Sequence, residues 1–260
     1  MNRMKERLFV ATFSENAIAE IRKYGLNIEF DHLCISENLN AENIGRTLMN
    51  MRKDRELSGA DRAIAHGPYT ELNASSVDPR ARQLTRERYE EAYQACRELE
   101  IKHMVVHSGY IPNLYYKEWH LEKSVEFWKE YMADKPETFY LYIENVFEDE
   151  PYLLKNMIDD IGDTRVKMCL DTGHVNASSQ KCYSILDWIR ELGDRIGHVH
   201  IHNNYGKKDE HGSVFAGNMD MEKVVEAINK YCGQEVTLTI ESQTCRESIL
   251  WFLERFCRQH

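Results

Sequence analysis

Apolar residues along this chain follow two rhythms that alternate from one end to the other. Eight short segments are nearly continuous in apolar residues or switch side at every residue. They are LFVATF (8–13), LNIEF (26–30), AIAH (63–66), HMVVH (103–107), FYLYIEN (139–145), VKMCLD (166–171), GHVHIH (197–202) and VTLTIE (236–241). Their length and β-branched content predict strands. Between them, apolar residues recur every three or four positions in 15–25, 41–53, 84–100, 124–132, 152–162, 184–193, 221–231 and 248–257, which predicts amphipathic helices. Ser14 is the expected N-cap of the first helix, and Gly25, Gly162 and Gly193 stand where helices should stop.

Strand–helix repeats imply a parallel sheet. Eight of them predict an α/β chain folded as a single (β/α)₈ TIM barrel, with 1–260 as one domain. No GxGxxG turn follows the first strand, which argues against a dinucleotide-binding sheet. The barrel alone says nothing about chemistry.

Charge narrows the partners. The 260 residues carry 43 acidic against 33 basic side chains, a net charge of -10. Such a surface repels nucleic-acid phosphates and anionic membranes unless a basic groove intervenes. The densest basic stretch, RARQLTRER (80–88), has the spacing of a solvated helix face. No window reaches a transmembrane length, and MNRMKERLFV lacks the apolar segment of a signal peptide. Seven cysteines, with no CxxC pair, predict reduced thiols and a cytoplasmic location. Cys169, inside a strand, reads as a small hydrophobe.

The chemistry is concentrated at the carboxyl ends of the strands, where barrels of this kind place their sites. Strand 3 ends on His66, strand 4 on His107, strand 5 on Glu144 and strand 6 on Asp171, with His174 just beyond. His200 and His202 close strand 7, and Glu241 closes strand 8. The two-residue period puts Leu141 and Ile143 on the face opposite Glu144, and Val236, Leu238 and Ile240 opposite Glu241. Met104 and Val106 likewise oppose His107, and Val199 and Ile201 oppose His198, His200 and His202. A lone His or Glu at a strand end is ordinarily a cap or a satisfied polar group. Six strands in one phase predict convergence, and converging carboxylates repel unless a cation gathers them. Imidazole with carboxylate and no thiolate points to a divalent metal such as Zn, Mn or Co.

Other residues are weighed less heavily. Tyr115, Tyr116 and Trp119, after strand 4, either wall a substrate or pack under a loop. Lys207 and Lys208 read as solvated loop charge, and His103 and His198 as barrel-core residues. His32, His120 and His260 have no supporting context.

The segments AHGPY (65–69), VVHSG (105–109), YIEN (142–145), CLDTGH (169–174), HVHIHNN (198–204), DEHG (209–212) and TIES (239–242) together resemble the xylose isomerase-like superfamily. That superfamily joins sugar isomerases and epimerases with endonuclease IV. The resemblance covers strands 3 to 8. Through the tagatose- and psicose-epimerase type it implies one metal on Glu144, Asp171, His200 and Glu241. Glu144 and Glu241 then act as the catalytic acid and base, with His174, His66 and His107 against the sugar. Through the endonuclease IV type it implies three zinc ions on His66, His107, Glu144, Asp171, His174, His200, Asp209, His211 and Glu241, and Tyr69 near the nucleic acid. Tyr69, Trp119 and His202 are the expected substrate contacts.

Features against a DNA enzyme are the charge balance and the loop after strand 2, which holds Asp31, Glu37 and Glu42 but no Lys or Arg. Thr70 stands where a bulkier wedge would enter DNA. The run 200–220 resembles generic sugar isomerase-like proteins, though Asn203 and Ala216-Gly217 depart from their pattern. The expected function is therefore a metal-dependent sugar or sugar-phosphate isomerase or epimerase. Its partner would be a small carbohydrate, with nucleic acid disfavoured but left open by the alternative below, no membrane partner, and a homo-oligomer compatible. The alternative is an endonuclease IV-like multi-zinc phosphodiesterase. A barrel that binds metal or sugar without turnover ranks last.

Overall fold

A computed structural model describes residues 3–178 and 182–257. Eight parallel strands run in sequence order and close on themselves: β1 (Leu8–Ala11), β2 (Asn27–Phe30), β3 (Ala63–His66), β4 (His103–His107), β5 (Tyr140–Glu144), β6 (Val166–Asp171), β7 (Ile196–Ile201) and β8 (Thr237–Ile240). Pairing of Leu8 with Leu238 and of Val10 with Ile240 seals the barrel. The predicted (β/α)₈ barrel is the observed fold.

The helices are α1 (Arg3–Glu6), α2 (Ala17–Tyr24), α3 (Ile44–Ser58), α4 (Pro79–Glu98), α5 (Lys117–Met132), α6 (Tyr152–Ile161), α7 (Thr172–Ser178), α8 (Ile185–Leu192), α9 (Met221–Tyr231) and α10 (Cys245–Phe256). Local chemistry explains many of their ends. Asp78 caps α4 through the Arg80 backbone N–H, with Pro79 at the first helical position. Ser184 and Asp187 form a reciprocal capping box on α8. Gly25, Gly162 and Gly193 close α2, α6 and α8 with φ of 60°, 67° and 50°, as expected. Ser14 does not cap α2. Asn16 holds that place, and the Ser14 hydroxyl donates to the Ser242 carbonyl, tying the first βα loop to the last.

The two faces of each strand separate as the period predicts. Met104, Val106, Leu141, Ile143, Met168, Leu170, Val199, Ile201, Leu238 and Ile240 pack outward against the helices in one continuous core. Inside, Phe9, Ile64, Val105, Tyr142 and Cys169 form a separate apolar plug. Above it, the interior turns polar. His198, at the centre, is held by Thr237 (2.6 Å) and Glu29 (3.0 Å), the core role expected of it. Burial pushes the Cys169 thiol far up, so it stays protonated and inert. Cys34, Cys96, Cys169, Cys232 and Cys245 are free thiols, and no described helix is long and apolar enough to cross a membrane.

Candidate metal centre

Where β6 ends, the chain turns directly into a helix. The Thr-Gly pair of DTGH is the first turn of α7, and Asp171 Oδ1 accepts the backbone N–H of His174 at 2.6 Å. Asn145 braces this junction from β5. Its amide donates to the Asp171 carbonyl (3.1 Å), its side-chain oxygen accepts the Asp171 N–H (2.9 Å), and its own carbonyl accepts from His174 Nδ1 (2.8 Å). Gly173 is required by crowding. A Cβ there would lie 1.9 Å from the His202 ring.

The strand ends converge. Glu144, Asp171, His200 and Glu241 offer ligand atoms that all lie within 4.8 Å of one another. So do His66, His107 and Glu144, and so do His174, Asp209 and His211. Glu144 belongs to the first two groups and divides its oxygens between them. Oε2 lies 3.0 Å from His66 Nε2 and 3.5 Å from His107 Nε2, while Oε1 lies 3.3 Å from His200 Nδ1. In the third group, Asp209 Oδ2 stands 3.2 Å from His174 Nε2 and 2.9 Å from His211 Nε2. All nine sequence-predicted positions are gathered at one mouth.

Each of four imidazoles is held through one ring nitrogen, which leaves the other aimed at the carboxylates, where a cation would take the place of a proton. A carbonyl or carboxylate can only accept, so a ring nitrogen bonded to one must carry the proton. His66 Nδ1 faces the Gly67 carbonyl at 2.9 Å, His174 Nδ1 the Asn145 carbonyl, and His211 Nδ1 the Glu241 carbonyl at 2.9 Å. His200 Nε2 donates to Glu29 Oε1 at 2.9 Å. In each ring the other nitrogen faces the carboxylates. Fixing a ligand imidazole through its far nitrogen is a general feature of metal sites.

His200 Nδ1 is buried with no hydrogen-bond partner, although Glu241 Oε2 is 3.1 Å away and equally unpartnered. A cation among these atoms would satisfy both, and the hard oxygen and imidazole set suits zinc or manganese. The residues present fit a divalent metal.

Charge tells the same story. Burial pushes the Glu144 carboxyl up, but His200, His107 and His174 outweigh it, and the group stays ionised well below the usual carboxylate range. Burial works against protonation of His174 and His200, yet surrounding acidic groups, Asp171 for His174 and Glu241 and Glu29 for His200, raise both well above the ordinary imidazole value. His107 is the exception. Burial and the repulsion of three neighbouring imidazoles push it down to about 3, although Glu144 attracts its proton. The centre demands positive charge, as protons or as metal.

The remaining predicted residues divide. Tyr69 stacks on His107, centroids 4.3 Å apart at 15°, and lines the mouth. His202 does not line the cavity, although it offers a ligand atom within 4.8 Å of those of His211 and Glu241. Its Nε2 donates to Asp171 at 3.0 Å from both oxygens, so it stands behind the site as a brace. Trp119 is likewise turned away, its indole N–H donating to the Ser75 carbonyl (2.9 Å). Tyr115 lines a neighbouring cavity, whereas Tyr116 is exposed. Lys207 and Lys208 are exposed, as expected. His103 bonds the Tyr142 hydroxyl at 2.9 Å, His32 pairs with Asp54 at 3.3 Å, and His120 is buried against Ser75; His260 lies outside the described residues. Asn203 is buried and holds the loop after β7 through the carbonyls of Val214 and Met219, both at 3.1 Å.

The sequence reading missed Glu29 and Asp31. Both line the cavity, and Glu29 is the buried acceptor for His198 and His200. The two-residue period in NIEF, with Ile28 and Phe30 outward, was the available signal.

A family model described as xylose isomerase-like TIM barrel matches residues 21–255. The chain belongs to that family. An uncharacterized protein of Methanocaldococcus jannaschii is 29% identical over 81% of this chain and 73% of its own length. A probable endonuclease 4 of Mycobacterium leprae is 24% identical over 73% of this chain and 77% of its own. Among solved structures, a D-tagatose 3-epimerase-like protein superposes with a TM-score of 0.73 at 23% identity, covering 96% of this chain and 97% of that one.

Proposed function

We propose that this protein is a multi-metal phosphoesterase. The observation that carries the reading is Glu144, whose two oxygens serve two ligand groups, with a third group at His174, Asp209 and His211. A one-metal epimerase needs only Glu144, Asp171, His200 and Glu241. It gives no ligand role to the other five donors. This reverses the order in which sequence alone ranks the two functions.

When bound, divalent cations supply Lewis acidity: they neutralise phosphoryl oxygens and make water a better nucleophile at neutral pH. His66, His107 and Glu144 would hold one, Glu144, Asp171, His200 and Glu241 a second, and His174, Asp209 and His211 a third. The protein's own contribution is rigidity. Glu29 and three backbone carbonyls fix the rings, Asn145 and His202 fix Asp171, and the reacting ester sits in a cavity of about 490 Å³. Water oxygen bonds to phosphorus, the ester P–O bond breaks, and the departing alcohol takes the proton. No Lys or Arg lines this cavity among the described residues. A long polyanion would therefore find no partner beyond the metals, which favours a small phosphodiester over duplex DNA.

The test is metal content with turnover. Two or three zinc ions per chain, and chelator-sensitive hydrolysis of bis(p-nitrophenyl) phosphate, are expected. A single metal, with deuterium exchange into a ketose and no ester cleavage, would replace this reading with the epimerase. That second reading is favoured by one observation, the approach of both Glu144 and Glu241 to the same nitrogen, Nδ1, of His200.

A further inference from the structure

A second cavity of about 350 Å³ opens beside the metal centre and shares two walls with it, Tyr69 and His107. Its chemistry is different. Leu72, Tyr110, Ile111 and Phe147 line it, with Asn73 and Ser76 as neutral polar groups, and Glu71 is its one charged residue. The size falls in the roughly 300–1,000 Å³ range of small-molecule pockets, and an apolar wall with a few polar points is their usual composition.

The cavity is built in advance. Three loops form it, and two buried polar side chains tie them together. Asn73, after β3, donates to the Gly109 carbonyl after β4 at 2.6 Å and accepts the Ser75 N–H (2.7 Å) and hydroxyl (2.8 Å). Gly109 adopts φ +75°, and a Cβ there would press on Asn73 at 3.2 Å, so the approach needs glycine. Glu148, after β5, accepts from the Ser108 hydroxyl and from the Val146 N–H at 2.8 Å. No ligand is needed to order these walls, yet Ile111 and Phe147 stay 42% and 50% exposed at the rim. Apolar side chains held open on a rigid frame beside a reactive centre fit a substrate group better than a core.

We propose that this cavity binds a flat, uncharged aryl or base-like group of the phosphate ester, with the phosphoryl group at the metal centre. The inference rests on the phosphoesterase reading and names its substrate class. The ring is specified by the walls. Tyr69 lies parallel to His107 between the two cavities, and Glu71, with no Lys or Arg among the lining residues, repels a second phosphate.

Two measurements test it. On zinc-loaded protein, phenylphosphonate should bind at least tenfold more tightly than methylphosphonate by calorimetry. Ile111→Asp combined with Phe147→Asp should abolish that preference while leaving methylphosphonate affinity unchanged. On metal-free protein, 4-fluorophenol should bind by fluorine NMR and be lost in the same variant. Equal phosphonate affinities, or a preference that survives both substitutions, would overturn the proposal. If the ring preference holds but no phosphate ester is cleaved, the phosphoesterase reading fails and the ring subsite stands.

Discussion

Replacing Glu29 by glutamine exchanges one oxygen for an amide at the point where two histidines are tied down. The carboxylate accepts from His200 Nε2 at 2.9 Å, from His198 Nε2 at 3.0 Å and from the Thr239 hydroxyl. Glutamine keeps one acceptor and presents an N–H₂ to the other partner, which must then offer a lone pair instead of a proton. If His200 yields, its proton moves to Nδ1, the nitrogen that faces Glu144, Asp171 and Glu241 at 3.3, 3.7 and 3.1 Å. The quartet loses a ligand without losing a ligand residue. Changes to such outer partners typically weaken metal binding by about 10- to 100-fold, or roughly 1.4–2.8 kcal/mol. Competition against a fluorescent zinc chelator reads this directly, with Glu241→Gln as the direct-ligand control and a melting curve in excess zinc to show that the fold persists. Wild-type affinity in Glu29→Gln, beside a weakened Glu241→Gln, would refute the claim that Glu29 sets the state of His200.

His211→Ala should lower zinc content by about one equivalent and leave the Glu144 groups loaded, as read by elemental analysis; unchanged content would remove the third group from the reading. Gly173→Ala drives a methyl into the His202 ring, 1.9 Å from the nearest carbon. Overpacking of this kind costs about 1–3 kcal/mol, so the melting temperature should fall by several degrees, and zinc affinity with it as Asp171 loses its brace. His120 is fully buried among Tyr110, Tyr115 and Ser75, and burial holds it neutral by pushing its pKa down from 6.5 to about 4. A depressed imidazole stabilises the fold above the unfolded value and loses that contribution as pH falls from 6.5 through about 4. The loss is roughly 3 kcal/mol. Denaturant melts from pH 7 to 4 should therefore fall less steeply for His120→Gln than for wild type, and parallel curves would contradict the assignment.

The β/α alternation and the inward phase of the strand tips were legible because both depend on neighbours along the chain. A two-residue period decides which side of a strand a residue occupies whatever lies opposite, and a barrel sends every strand end to one mouth. From that, the sequence determined the fold and sent the metal-competent tips of strands 3 to 8 to one place; Asp209 and His211 joined them only through the family resemblance. Tertiary structure decided their partnerships. Glu29 meets His200 across 171 residues of chain, and nothing local in NIEF says that strand 2 will look across the barrel at strand 7. His202 has the same strand phase as His200, yet one turn of α7 and a bare Gly173 let its ring close over Asp171 from behind. The division of the Glu144 oxygens between two groups, and the apolar cavity braced by Asn73 and Glu148, depend on loops from separate βα units meeting in space. Pattern is a property of neighbours in sequence. A binding site is a property of neighbours in space, and the closed barrel is what turns one into the other.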